Sequence, residues 1–274
     1  MTATTASIGV FDSGIGGLSV LKALRAELPN ERFIYIADSG HAPYGERDDA
    51  HVVARSMAIT AHLVKQNIKA LVVACNTATA AAIDVLRAAY PTLPIIGVEP
   101  ALKPAVALSK TKHIAVMATR STLASARFAA LLAAQNSHAR FTLLPCDGLA
   151  EAIEQSVQNS NAIELVAVCA RIIKSKDTFS TENKPETRID TIVLGCTHYP
   201  FAAQQIAEQA GQDVQLIDTG EAVARQTRQR LGLAVSAPNN VPSLEFISTG
   251  HPATLRAAAC NWLGLNSQIY LLQI

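Results

Sequence analysis

Short apolar runs alternate with helix-length segments along almost the whole chain, and the runs end in loops of glycine, hydroxyl, amide or thiol residues. Residues 8–11, 33–37, 70–74 and 94–98 read as strands. Leu18, Leu21 and Leu24 form one helical face, as do Val52, Met57, Ile59 and Leu63 within 48–67. Strand and helix in strict alternation predict parallel sheets covered by helices, an α/β fold. The rhythm continues with strands at 113–118, 141–144 and 189–194 and helices at 123–134, 149–157 and 201–210. A return strand at 214–217, a helix at 222–231, and strand, helix and strand at 246–248, 251–263 and 269–272 complete the chain.

Pro100 restrains Glu99 to extended conformations, so Glu99-Pro100 marks the passage into a second lobe. The expected division is 1–98 plus 210–274 for the first α/β lobe and 99–209 for the second, with the active groups at strand C-termini meeting between them. The polar stretch 174–188 reads as a mobile loop.

A chain of 274 residues that is 49% hydrophobic can bury the cores of two such lobes. Its 23 Lys and Arg nearly balance 22 Asp and Glu and are scattered, which gives no electrostatic footprint for a nucleic acid or an anionic membrane. The first strand starts too early for a signal peptide, and no apolar stretch reaches membrane-spanning length. Five cysteines at least 23 residues apart fit neither a disulfide framework nor a compact metal site, so a reducing, cytoplasmic setting is expected.

Two of those cysteines share a local design. In Val72-Val73-Ala74-Cys75-Asn76-Thr77-Ala78 and Val193-Leu194-Gly195-Cys196-Thr197-His198-Tyr199-Pro200, an apolar strand delivers a thiol followed by small polar residues. A thiol at a strand-to-helix junction becomes a proton acceptor when the helix N-terminus and nearby donors stabilise its anion. Two such thiols suit reversible proton exchange. The loops 12–17 and 38–45 also follow strands and carry polar groups that a small ligand would satisfy.

Other readings of these loops are weaker. Gly14 and Gly16 are spaced for a dinucleotide fingerprint, but Ser19 stands at its third glycine and Asp12 would repel a pyrophosphate. His198, two positions after Cys196, permits covalent Cys-His hydrolysis, although that chemistry gives the second cysteine segment no task.

In Gly9-Val10-Phe11-Asp12-Ser13-Gly14-Ile15-Gly16-Gly17-Leu18, Pro43-Tyr44-Gly45, Ala74-Cys75-Asn76-Thr77-Ala78, Gly97-Val98-Glu99-Pro100, Ala118-Thr119-Arg120-Ser121-Thr122 and Leu194-Gly195-Cys196-Thr197-His198-Tyr199-Pro200, the chain resembles the glutamate racemases of the cofactor-independent amino-acid racemase group. The segments keep the family's order across nearly the whole length. The resemblance implies two pseudo-symmetric α/β lobes enclosing glutamate, with Cys75 and Cys196 on opposite faces of its α-carbon. Cys75 would act on D-glutamate and Cys196 on L-glutamate. Asp12 is the implied partner of Cys75 and His198 of Cys196, each helping to set protonation or to bind the substrate ammonium.

By the same resemblance, Ser13, Asn76, Thr77 and Thr197 bind the substrate's carboxylates and ammonium, joined by Pro43, Tyr44 and Gly45 through a backbone N–H or the tyrosine hydroxyl. Thr119 and Thr122 are further contact positions, and Glu154 is an ancillary acid. Glu151 departs from the proline that many relatives carry. Related aspartate racemases tend to carry glutamate at the position of His198, so glutamate is the expected substrate. No organic cofactor or catalytic metal is expected.

The implied product is D-glutamate for peptidoglycan synthesis. A homodimer and a peptidoglycan-precursor activator stay open, because no short segment decides either. An aspartate or other amino-acid racemase and a non-catalytic amino-acid-binding protein are the alternatives.

Overall fold

Ile8–Asp12 and Phe33–Ala37 are buried along their entire length, as are Ala70–Val73, His113–Ala118 and Thr191–Leu194. Only strands covered on both faces tolerate such unbroken burial, which is why these runs are apolar rather than alternating. The computed structural model describes residues 6–159, 163–175, 179, 188–211, 213–235 and 243–274. Residues 176–178 and 180–187 of the polar stretch expected to form a mobile loop lie outside the described residues.

In chain order the elements begin with β1 (Ile8–Asp12), α1 (Leu18–Glu27), β2 (Phe33–Ala37), α2 (Asp49–Lys65), β3 (Ala70–Val73), α3 (Asn76–Ala89) and β4 (Ile95–Gly97). Then come α4 (Leu102–Leu108), β5 (His113–Ala118), α5 (Arg120–Ala124), α6 (Ala126–Ala133), β6 (Arg140–Pro145), α7 (Leu149–Asn159), α8 (Ile163–Lys174), β7 (Thr191–Leu194), α9 (Ala203–Ala210) and β8 (Gln215–Ile217). The last are α10 (Gly220–Arg230), β9 (Leu244–Ser248), α11 (Pro252–Leu263) and β10 (Ile269–Leu271). Single 3-10 turns occupy Tyr44–Glu46 and Tyr199–Ala202.

Two compact units result, 1–98 with 220–274 and 99–219. The first holds a sheet in the order β10-β9-β2-β1-β3-β4 and the second a sheet in the order β6-β5-β7-β8, with every pairing parallel. The run β2-β1-β3-β4 therefore has the same topology as β6-β5-β7-β8. Each sheet reverses its winding at one point, beside β1 and β3 in the first and beside β5 and β7 in the second. Ligands of open parallel sheets sit outside the strand C-termini at that reversal.

Two expectations are corrected. The return strand, placed in the first lobe when the boundary was drawn at 210, is β8, and it is hydrogen-bonded to β7, so the chain rejoins the first unit only at Gly220 and its sheet at β9. The helix expected over 123–134 is two helices, because Ser125 both ends α5 and caps α6, its Oγ accepting from the Phe128 N–H at 3.1 Å. No helix among the described residues is long and apolar enough to cross a membrane.

The first unit's core joins Phe11, Ile36, Val73 and Leu71 of the sheet to Ile59 and Leu63 of α2 and Ala82, Ile83 and Leu86 of α3. That core also includes Tyr44 and Cys75, so the strand-end loops are anchored on the interior rather than loosely attached. In the second unit Ile114, Val116 and Val193 pack with Leu102, Ala105 and Phe128.

Candidate active site

In the first unit, β1 and β3 deliver Asp12 and Cys75 to neighbouring strand ends at the winding reversal. Asp12 is fully buried and its Oδ2 accepts the Gly17 N–H at 2.7 Å. A side chain at Gly17 would put its Cβ 2.6 Å from the Asp12 Cβ and 2.9 Å from the Tyr35 hydroxyl, so glycine is what lets the loop close over the carboxylate. The Tyr35 hydroxyl donates to the Gly14 carbonyl at 2.9 Å and fixes the same loop from beneath.

Cys75 is the N-cap of α3. The Ala78 N–H donates to its sulfur at 3.4 Å, and the thiol lies 3.7 Å from the Ser13 Oγ. A backbone donor at a helix N-terminus favours negative charge on this sulfur, as the sequence pattern suggested. Asn76 and Thr77, the first residues of α3, are buried beside it, and the Asn76 amide donates to the Val98 carbonyl at 3.4 Å. Ser13, Cys75, Asn76 and Thr77 thus belong to one strand-end cluster.

Pro43, Tyr44 and Gly45 are held next to that cluster by a network that sequence reading missed. Asp38, fully buried at the end of β2, accepts from the Arg55 Nε at 3.0 Å and Nη2 at 2.9 Å, from the Thr249 hydroxyl at 2.7 Å, and from the Tyr44 hydroxyl. His41 Nδ1 lies 3.1 Å from the same carboxylate. Burial pushes the Asp38 carboxyl up, but the bonds from Arg55, Tyr44 and Thr249 outweigh it and hold it below the usual carboxylate range. The Tyr44 phenol is driven up by burial and by the Asp38 charge. Its hydroxyl is therefore spent on Asp38, which leaves the backbone of Tyr44 and Gly45 as the part of this loop that can meet a ligand.

In the second unit, β7 delivers Cys196 through Gly195, whose added Cβ would stand 2.8 Å from the Met117 carbonyl oxygen. The Cys196 sulfur lies 3.7 Å from His198 Nδ1, and His198 Nε2 lies 2.8 Å from Glu154 Oε1 on α7. Burial works against the imidazolium, yet the bonds to Cys196 and Glu154 prevail and hold His198 well above its ordinary value. A carboxylate, an imidazole and a thiol in line form a proton relay ending on sulfur. Glu154, expected only as an ancillary acid, is joined directly to His198.

Thr197 is buried between them in sequence. Thr119 and Thr122 lie after β5, the other strand at the reversal. Thr119 caps α5, its Oγ1 accepting the Thr122 N–H at 3.2 Å and donating to the Thr122 Oγ1 at 3.0 Å. This capping arrangement explains both threonines locally. Glu151 is exposed and takes a bond from Gln155 at 3.1 Å.

All five cysteines are free thiols, four buried and Cys260 exposed. Among the described residues no group of three or more His, Cys, Asp or Glu could hold a metal ion.

The sequence and the fold are similar to those of known proteins. A family model described as Asp/Glu/Hydantoin racemase matches residues 8–227. A glutamate racemase of Ectopseudomonas mendocina is 43% identical over 272 residues, covering 99% of this chain and 100% of the relative. The crystal structure of glutamate racemase isoform RacE1 from Bacillus anthracis superposes with a TM-score of 0.84 at 30% identity, covering 98% of each chain. The Escherichia coli glutamate racemase solved with L-glutamate and the activator UDP-MurNAc-ala gives 0.82 at 28% identity, covering 93% of this chain and 94% of that one.

Proposed function

We propose, because this chain belongs to the Asp/Glu/Hydantoin racemase family, that it interconverts L-glutamate and D-glutamate by proton transfer between the substrate α-carbon and two thiols. The thiolate of one cysteine takes the α-proton, the electron pair remains on the α-carbon as a carbanion, and the thiol of the other returns a proton to the opposite face. Running the reaction backwards exchanges the roles of Cys75 and Cys196. Positioned acid/base groups of this kind contribute about 10²- to 10⁴-fold each.

The observation that carries the reading is that each sheet sets one cysteine at its winding reversal with a polar partner already in contact: Ser13 and the α3 N-terminus for Cys75, the His198–Glu154 pair for Cys196. Asp12 and His198 are assigned to proton handling at the two sulfurs. Asn76, Thr77, Thr197, Ser13 and the backbone of Pro43, Tyr44 and Gly45 are assigned to the substrate's charged groups, with Thr119 and Thr122 as outer contacts. The names of the full-length relatives support glutamate as the substrate.

Within this reading the reaction runs in the cytoplasm and supplies D-glutamate to peptidoglycan synthesis. A compound of the UDP-MurNAc-ala kind, named as activator of the Escherichia coli protein, is the candidate regulator, and a homodimer the candidate assembly. Adding that compound to kinetic assays and measuring mass by light scattering test these two points.

The reading itself is tested by following the circular dichroism of separate L-glutamate, D-glutamate, L-aspartate and D-aspartate solutions. Both glutamate signals should decay to zero, aspartate should persist, and Cys75→Ser and Cys196→Ser should each slow the decay by about 10³-fold. Persistent optical activity of both glutamates would leave a binding protein, not a racemase.

A further inference from the structure

β9 pairs with β2, and Ser248 at its end stands opposite Ala37, so the loop after β9 leaves the sheet beside the 38–45 loop. Both β9 and this loop lie beyond residue 227, where the family match ends. Thr249 is nevertheless bonded to residues 37, 38 and 40. Its N–H donates to the Ala37 carbonyl at 3.0 Å, its hydroxyl donates to Asp38 Oδ1 at 2.7 Å, and the same hydroxyl oxygen accepts the Gly40 N–H at 3.1 Å. A hydroxyl has one proton to give and lone pairs to receive, so it makes both bonds at once. Next to it, the hydroxyls of Ser248 and Ser39 are 2.9 Å apart.

The two oxygens of Asp38 have different partners. Oδ1 accepts from Thr249 and the Arg55 Nη2, while Oδ2 accepts from the Arg55 Nε and the Tyr44 hydroxyl. The third Arg55 nitrogen, Nη1, donates to the Ile274 backbone oxygen at 2.8 Å. Residues 249 and 274 therefore brace, directly or through Arg55, the carboxylate that holds Tyr44. Without the Thr249 hydroxyl, Arg55 still neutralises Asp38, but the side-chain tie from the carboxylate and from Gly40 to the β9 loop is gone.

We propose that Thr249 is a positioning residue for the substrate loop: its hydroxyl fixes Asp38 and Gly40, Asp38 holds Tyr44, and the backbone of Tyr44 and Gly45 is thereby set for the substrate. Thr249 touches no reacting atom and acts through Asp38. This inference deepens the racemase reading and rests on its assignment of the Tyr44 and Gly45 backbone to the substrate. A contact to a substrate group that takes no part in proton transfer binds ground and transition states alike, so its loss appears in KM.

The test uses the full chain with Thr249→Val, which keeps the shape and removes the hydroxyl, and Thr249→Ser, which keeps the hydroxyl. Thr249→Val should raise KM for glutamate about tenfold and leave the turnover number within about twofold, the scale of one hydrogen bond to a charged group. Thr249→Ser should match wild type. Amide hydrogen exchange over residues 38–47, where the His41 N–H is bonded to the Asp38 carbonyl and the Arg47 N–H to the Tyr44 carbonyl, should be about tenfold faster in Thr249→Val and unchanged in Thr249→Ser. A wild-type KM in Thr249→Val overturns the proposal, as does a fall in turnover at constant KM. A Thr249→Ser as impaired as Thr249→Val overturns it too, since the lost methyl group would then be what matters. If Thr249→Val does not fold, Thr249→Ala under the same criteria decides. The exchange readout needs no substrate: a wild-type chain inert toward glutamate would defeat the racemase reading, whereas wild-type exchange in Thr249→Val would defeat this one.

Discussion

Replacing Glu154 by Gln keeps the shape of the His198 contact and removes its charge. The pair is close, at 2.8 Å, and mostly shielded, with side-chain exposures of 6% for His198 and 24% for Glu154. A charge-assisted hydrogen bond is worth about 1.5–3 kcal/mol, and the amide oxygen retains part of it, so the expected loss is about 1–2 kcal/mol. For a chain of this size that is roughly 2–5 °C in Tm. His198 is held above its unfolded value, so its contribution to stability is complete below about pH 6.5 and is lost as pH rises through the folded value. The deficit of Glu154→Gln should therefore be full at pH 6 and shrink at alkaline pH. Glutamate turnover should fall about 5- to 30-fold near neutrality, the kinetic equivalent of the same energy. Thermal melts of both proteins across pH, with turnover at each point, make the check. A deficit that stays constant or widens from pH 6 into the alkaline range would refute the assignment of the effect to protonated His198.

Asp38→Asn should lose about 2–4 kcal/mol, because it leaves the partly buried Arg55 against a neutral group, and a urea titration would show it. Since Asp38 is held below its unfolded value, the stability it contributes is present above about pH 3.9 and lost as pH falls through the folded value, so the gap between Asp38→Asn and wild type should close only in strong acid. Gly17→Ala should cost about 1–3 kcal/mol by overpacking against the Asp12 Cβ at 2.6 Å, and should slow glutamate turnover as well; a neutral substitution would mean the loop has room that the structure denies.

The strands were legible because β1, β2, β3, β5 and β7 are buried along their whole length and apolar apart from Asp12, His113 and Thr191 at their ends; Cys75 falls at a strand-to-helix junction as expected, whereas Cys196 leads into a turn and the 3-10 turn Tyr199–Ala202. Sheet membership was less legible. Only three residues long and partly exposed, β8 carries nothing in its side chains to say which sheet it joins, and its bonding to β7 appears only in the register. Ser125 was hidden inside an apolar stretch that reads as one helix, although a serine that caps a second helix is a recognisable signal.

At the site, the His198–Glu154 contact spans 44 residues and was reachable only through family resemblance. The Asp38 network was invisible for the same reason, since Arg55 and Thr249 stand 17 and 211 residues away. The signal that could have found it is Asp38 itself, an acidic residue directly after a fully buried strand, where an unpaired charge is too costly to leave.

The central claim is that two thiols serve opposite faces of one carbon, and the most direct measurement is early-time isotope tracing in deuterium oxide. Starting from L-glutamate, the account predicts that newly formed D-glutamate carries one deuterium at the α-carbon while unreacted L-glutamate remains protiated, and the mirror result from D-glutamate. Deuterium entering recovered substrate as fast as product would point to one base working on one face, and product that keeps its protium would contradict solvent-exchanging thiols altogether.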